Sequence, residues 1–158
     1  MIHINIVCVG KVKESYLKDA ILEYSKRLSK YCKLSFVEID DEQIPNNLST
    51  KTAENIKEIE GNKILAHIKN SYVIALDLKG KQYSSEDFSV KLENISLSNS
   101  NITFIIGGSL GLSKAVIEKS NELICFSKMT FPHQLIRVFL LEQLFRAFKI
   151  QNNETYHR

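Results

Sequence analysis

The chain has no tryptophan, only two prolines and six glycines, and three cysteines among 158 residues. So little proline and glycine excludes a linker-rich array or a collagen-like fibre. Cys8, Cys32 and Cys125 are odd in number, far apart and set among apolar neighbours. They predict reduced core thiols rather than a disulfide scaffold. No CxxC or Cys/His spacing suits structural zinc, and no metal is expected. No apolar run approaches the roughly 18 residues of a membrane span, so no membrane partner is expected. The first stretch, MIHINIVCVGKVKESY, lacks the basic segment and long apolar run of a secretory signal. Its apolar residues alternate like a strand, which favours a cytoplasmic location.

What is present is the composition of one globular domain over residues 1–158, 44% hydrophobic and 25% charged. A chain of this length buries about two-thirds of its unfolded surface and needs no staples. The net charge is only +3, too small by itself to announce a nucleic-acid binder. Its distribution is uneven. Residues 1–33 carry seven Lys and Arg against three acids, whereas residues 34–60 carry two lysines against seven acids. A basic end beside an acidic one reads either as solvated helix faces or as a patch for phosphates.

Ile2, Ile4 and Ile6 alternate before Val7-Cys8-Val9 turn wholly apolar, predicting a strand that enters a buried sheet and ends at Gly10. Leu17, Ile21, Tyr24, Leu28 and Tyr31 fall on one face of a helix over 14–32. A second strand follows at 34–39, then an acidic loop and a second helix over 51–68, interrupted by Gly61. The apolar runs YVIALDL at 72–78 and ITFII at 102–106 predict strands covered on both faces. Lys79-Gly80-Lys81 reads as a turn, and Ser84 or Ser85 as the cap of a third helix ending near Leu97. A further helix from Ser113, a short strand over 123–126 and a long helix from His133 to about Ile150 complete the pattern. Alternating strands and helices predict an α/β fold, a mainly parallel sheet flanked by helices.

In such sheets ligands bind beyond the carboxyl ends of the strands. Three segments end there: Ala75-Leu76-Asp77, Gly107-Gly108-Ser109 and Phe126-Ser127-Lys128-Met129-Thr130-Phe131. GGSLGL is neither a dinucleotide fingerprint nor a phosphate loop, which disfavours nucleotide triphosphate hydrolysis. Ser127 and Thr130 can hydrogen-bond an adenine edge while Phe126, Met129 and Phe131 cover its ring. The plainer reading is a strand-to-helix connection in which Pro132 opens the helix. His133 reads as an RNA contact, a base or a packing residue at a helix start. The last helix is apolar most of the way round, so it needs cover on several sides, and a symmetric partner is the simplest supply. Tyr156-His157-Arg158 reads either as a frayed tail or as groups for a base and a phosphate. No paired carboxylates, Ser-His-Asp pattern or Cys-His pair stands out.

Taken together, these segments resemble the RlmH type of SPOUT methyltransferase. The residues that carry the resemblance are Val9-Gly10-Lys11, Glu23-Tyr24 with Arg27-Leu28, Glu60-Gly61, Leu76, Gly80-Lys81 and Ile106-Gly107-Gly108 with Gly111-Leu112. Ser127 through His133, Arg137-Val138, Glu142-Gln143, Phe145-Arg146-Ala147 and Tyr156-His157-Arg158 complete it. Phe145 stands where that family often has tyrosine. The resemblance spans the whole chain and implies a single SPOUT domain with a trefoil knot near its C-terminal end. It implies a homodimer whose site is completed across the interface, and methylation of N3 of a pseudouridine in large-subunit (23S) ribosomal RNA, with assembled ribosomes as the partner. It further implies that S-adenosyl-L-methionine is held by Leu76, Gly107, Gly108, Phe126, Ser127, Lys128, Met129, Thr130, Phe131 and Pro132. His133 and Arg137 are then expected beside the RNA, and Tyr156, His157 and Arg158 at the reaction. Whether His157 takes the N3 proton or Arg158 steadies the resulting anion stays open at this level. So does a non-catalytic ribosome-binding protein on the same fold.

Overall fold

The computed structural model describes residues 1–158. Five strands, β1 (Ile2–Val9), β2 (Cys32–Ile39), β3 (Tyr72–Lys81), β4 (Asn101–Ile106) and β5 (Glu122–Ile124), alternate with helices α1 (Ser15–Leu28), α2 (Thr50–Leu65), α3 (Ser85–Ser98), α4 (Lys114–Lys119) and α5 (His133–Gln151). The strands form one sheet in the order β2-β1-β4-β3-β5, and every neighbouring pair is parallel. The α/β parallel architecture expected from the sequence is therefore present.

The two faces of the sheet are filled by alternate residues of the same strands. Ile4, Ile6 and Cys8 of β1 join Phe104 and Ile106 of β4 against α1, α3 and α5. Val7 and Val9, one residue out of phase, join Ile105 against α2 and α4. This period-two division is why the central strands read as continuous apolar runs. Leu28, Phe88, Leu92, Leu140, Leu141 and Leu144 close the first face; Ile64, Leu112 and Val116 close the second.

The connection leaving β1 crosses one face through α1, and the connection leaving β4 crosses the other through α4. Because β1 and β4 are neighbours, their carboxyl ends diverge, and a crevice opens between them. Such a reversal is where open α/β sheets take ligands.

Three local features depart from the sequence expectations. Lys79-Gly80-Lys81 is not a turn but the end of β3, which continues past a register shift so that Lys81 pairs with Ile124. A Cβ on Gly80 would lie 2.5 Å from the Ile124 carbonyl carbon, so the two backbones meet only because position 80 lacks a side chain. The C-terminal tail is not frayed either. Tyr156 packs edge-on against Phe145, with ring centroids 4.9 Å apart. Gly61 does not break α2. A Cβ there would run into the Ser113 hydroxyl, and its absence lets α2 sit directly on the cap of α4. All three cysteines are unpaired and buried. No helix is long and apolar enough to cross a membrane.

Candidate functional site

The register of the sheet assembles the site. Leu76 on β3 stands opposite Ile106 on β4 and Ile124 on β5. The chain therefore leaves the sheet as Gly107-Gly108 on one side of Leu76 and as Cys125-Phe126 on the other. A Cβ on Gly107 would lie 2.8 Å from Leu112 Cδ2 and 3.2 Å from the Gly111 carbonyl carbon. The loop is pinched shut by the Gly111 amide donating to Gly108 O at 3.1 Å, with Gly111 at φ +87°. A backbone this bare at a strand end lets a ligand approach the peptide groups closely.

A cleft of about 460 Å³ opens beside this point, within the size range of small-molecule sites. Phe126, Ser127 and Phe131 line one wall; Tyr83, Ser85 and Phe139 line the others. Phe131 stands edge-on to Phe139, with centroids 5.3 Å apart. Ser127 is held from both ends: its carbonyl accepts from Cys125 Sγ at 2.9 Å and its hydroxyl accepts from the Met129 amide at 3.0 Å. Lys128, Met129, Thr130 and Pro132 are exposed, Met129 by 73%. Of the residues expected around a cofactor, three line this cleft. Leu76, Gly107 and Gly108 sit at the adjoining strand ends.

Gly108 lines a second, smaller recess with Asp41, Glu42, Glu60 and His133. His133 is half-buried, and its ring stands 3.3 Å from where a Cβ on Gly10 would be. Burial, then the Arg137 charge, lowers its pKa below the usual imidazole value, and its Nδ1 is enclosed without a partner.

Arg137, expected beside the RNA, is tied into the scaffold. It is 1% exposed, and its partners in this structure are groups of the chain itself. Its guanidinium donates to Val9 O at 3.2 Å, Gly10 O at 2.7 Å and Glu38 Oε2 at 2.8 Å. Arg137 thus closes the carboxyl end of β1 and anchors the start of α5.

The tail residues converge on α5. Tyr156 donates to Glu142 Oε1 at 2.9 Å, and Arg146 donates to the same oxygen at 2.6 Å. Arg146 also reaches His157 Nδ1 at 3.2 Å. A guanidinium only donates, so Nδ1 accepts and the ring proton lies on Nε2, which meets Glu86 Oε1 at 2.6 Å. Burial and the Glu142 bond push the Tyr156 hydroxyl up to about 12. Arg158 is left exposed. Sequence reasoning did not assign Glu142, Arg146 or Glu86 to the site. The i, i+4 spacing of the first two on the last helix was the available signal, but nothing local told that Tyr156 would fold back onto it.

Parallel strands flanked by helices, a bare glycine loop at a central strand end and an apolar cleft beside it describe an α/β protein with room for a small molecule at its strand ends. The family model described as "Predicted SPOUT methyltransferase" matches residues 2–157, and the chain belongs to that family. Its relatives include proteins named ribosomal RNA large subunit methyltransferase H. The one from Clostridium botulinum (strain Alaska E43 / Type E3) is 63% identical over 99% of both chains, and that from Clostridium acetobutylicum 57% identical over the same share. Among solved structures, a putative methyltransferase from Legionella pneumophila, bound to the cofactor SAM, matches with TM-score 0.50 at 11% identity, over 93% of this chain and 66% of that one. That likeness concerns the fold.

Proposed function

We propose that residues 1–158 act as one SPOUT domain that transfers a methyl group from S-adenosyl-L-methionine to N3 of a pseudouridine in large-subunit ribosomal RNA. The substrate is the assembled ribosome, in the cytoplasm, and the enzyme works as a homodimer with a trefoil-knotted C-terminal half. The observation that carries this reading is the full-length correspondence to the methyltransferase H proteins, whose printed names state the RNA.

The residues fit the cofactor. The cleft's aromatic walls suit an adenine ring, and the carbonyls and amides of 126–131 suit its edge. Gly107 and Gly108 leave backbone open where a side chain would intrude. When bound, the cofactor supplies a methyl group on a sulfonium that leaves readily, so the protein's task is mainly positioning. N3–H of the uracil-like ring must lose its proton. Both ring nitrogens of His157 are occupied by Arg146 and Glu86, whereas Arg158 is exposed and stays charged. Arg158 is therefore the group that steadies the ring anion once the N3 proton has passed to solvent water, with Tyr156 and His157 as its mount.

The dimer is supported by α5. Its second half is buried between α1 and α3, but Leu135, Ile136, Val138 and Phe139 in its first half are only partly covered. Leu78 and Met129 are further exposed apolar residues. Dimerisation also doubles the charge to the order of +6, which helps to attract phosphates.

Radiolabelled S-adenosylmethionine incubated with ribosomes lacking the modification tests the proposal. Label on one large-subunit pseudouridine is the expected result. Cofactor binding without label in the RNA would instead mean a binding protein on an enzyme's fold.

A further inference from the structure

The aromatic cleft has few polar side chains, and most of them are already engaged. The Tyr83 hydroxyl donates to Glu122, which Lys91 meets at 3.1 Å. Ser84 accepts from the Asp87 amide at 3.0 Å as the cap of α3. Ser85 gives its proton to Gln143 Oε1 at 2.7 Å. The carbonyl and hydroxyl of Ser127 both accept from neighbours in their own loop. Gln143 is different. It is half-buried on α5 and lines the same cleft as Phe126, Ser127 and Phe131.

The neighbours of Gln143 fix the orientation of its carboxamide. The oxygen takes the Ser85 proton, and Nε2 faces Glu142 Oε2 at 3.4 Å. The reverse orientation would set the amide oxygen against that carboxylate, whose other oxygen accepts from Arg146 and Tyr156. Two acceptors cannot share a hydrogen bond, so the network assigns oxygen and nitrogen. Of the two hydrogens on Nε2, one meets Glu142 through this long contact and the other has no protein partner. Gln143 thus offers the cleft a donor set in place from two sides, while its acceptor is engaged by Ser85.

An aromatic-walled cavity with a fixed donor suits a flat heterocycle that carries an acceptor in its plane. Adenine has three, N1, N3 and N7, and a glutamine carboxamide is matched to its edges. We propose that Gln143 donates from Nε2 to a ring nitrogen of the adenine of S-adenosylmethionine, and that Ser85 and Glu142 position it to do so. The inference rests on the cofactor reading above and adds the side chain that recognises the base. The ring is then held from two elements, the 126–131 loop and α5 itself. Glu142, which orients the amide, is also the carboxylate that mounts Tyr156.

S-adenosylhomocysteine and its 1-deaza, 3-deaza and 7-deaza forms, each with one ring nitrogen replaced by C–H, test the assignment by calorimetry without RNA. Wild type is expected to bind one of the three about five- to ten-fold more weakly than the parent, as for a lost neutral hydrogen bond. Gln143→Leu should bind the parent more weakly by the same factor and no longer distinguish it from that analogue. If every analogue that weakens wild type weakens the variant equally, the contacts belong to the loop backbone and the proposal is overturned. It is also overturned if the variant binds the parent as wild type does and shows only a raised KM for ribosomes, which would place Gln143 at the RNA. Failure of the cofactor reading is distinct, since wild type would then bind neither the parent nor any analogue.

A measurement on wild type covers the case of a variant that does not fold. The side-chain amide proton of Gln143 should move downfield in the NMR spectrum when S-adenosylhomocysteine is added, and stay in place with the analogue that lacks its acceptor. A signal unmoved by the parent, or moved alike by the parent and all three analogues, overturns the proposal.

Discussion

The guanidinium of Arg146 lies over the ring of Tyr156, 4.7 Å from its centroid, while both side chains share one oxygen of Glu142. The last three residues are thus mounted on α5 by a stacked cation and a shared carboxylate, and Arg158 projects from that mount. Arg146→Ala should release Tyr156 and His157 together. On the proposed function, kcat on ribosomes falls by about ten-fold or more, since loss of positioning is felt steeply in the rate. Cofactor affinity, measured by calorimetry, should stay the same.

Arg158→Ala tests the chemistry rather than the mount. Methyl transfer should drop by roughly a hundred-fold or more, the scale of removing one donor from a developing anion. The fold and cofactor binding should be untouched because Arg158 is exposed. Turnover equal to wild type would refute its role.

Arg137 belongs to the scaffold, and its loss should appear as stability. Arg137→Met leaves the Val9 and Gly10 carbonyls without their donor in a buried place. A cost of about 2–4 kcal/mol follows from the unsatisfied groups. A lowered urea midpoint with an unchanged slope is the expected reading.

Gly61→Ala should destabilise by about 1–3 kcal/mol, the usual penalty of overpacking. The added methyl must displace Ser113, whose hydroxyl caps α4 by accepting the Val116 amide at 3.3 Å. Pairing it with Ser113→Gly, which removes the obstructing hydroxyl, should recover part of the loss in thermal melts.

Acid should loosen the last turn at Glu154. Bonds from Lys149 and Tyr31 hold its carboxyl well below the ordinary value of 4.5, at about 2. A depressed folded-state pKa means a contribution present above the unfolded value and lost as pH falls towards the folded one. The Tm difference between wild type and Glu154→Gln should be greatest near neutrality and vanish as pH drops from about 4.5 to about 2.

Much of this architecture was legible because burial on both faces writes itself into a strand. Val7-Cys8-Val9 and ITFII could hardly be anything but central strands. The end of β3 was not legible. Lys79-Gly80-Lys81 has turn composition, and only the close passage of Ile124, more than forty residues on, makes it strand. Arg137 was expected beside the RNA only through the family resemblance; its bonds to the carbonyls at the end of β1 depend on the tertiary fold. The glycine loop and the 126–131 segment could be named from the chain, but their meeting around Leu76 is set by sheet register.

The fit of α5 against α1 and α3 also governs when the protein can fold. The face with Ile4, Ile6 and Phe104 is only partly covered, by α1 and α3, until the final helix arrives. The carboxyl end of β1 is likewise finished only by Arg137, 128 residues after Val9. Contacts this distant in sequence close late.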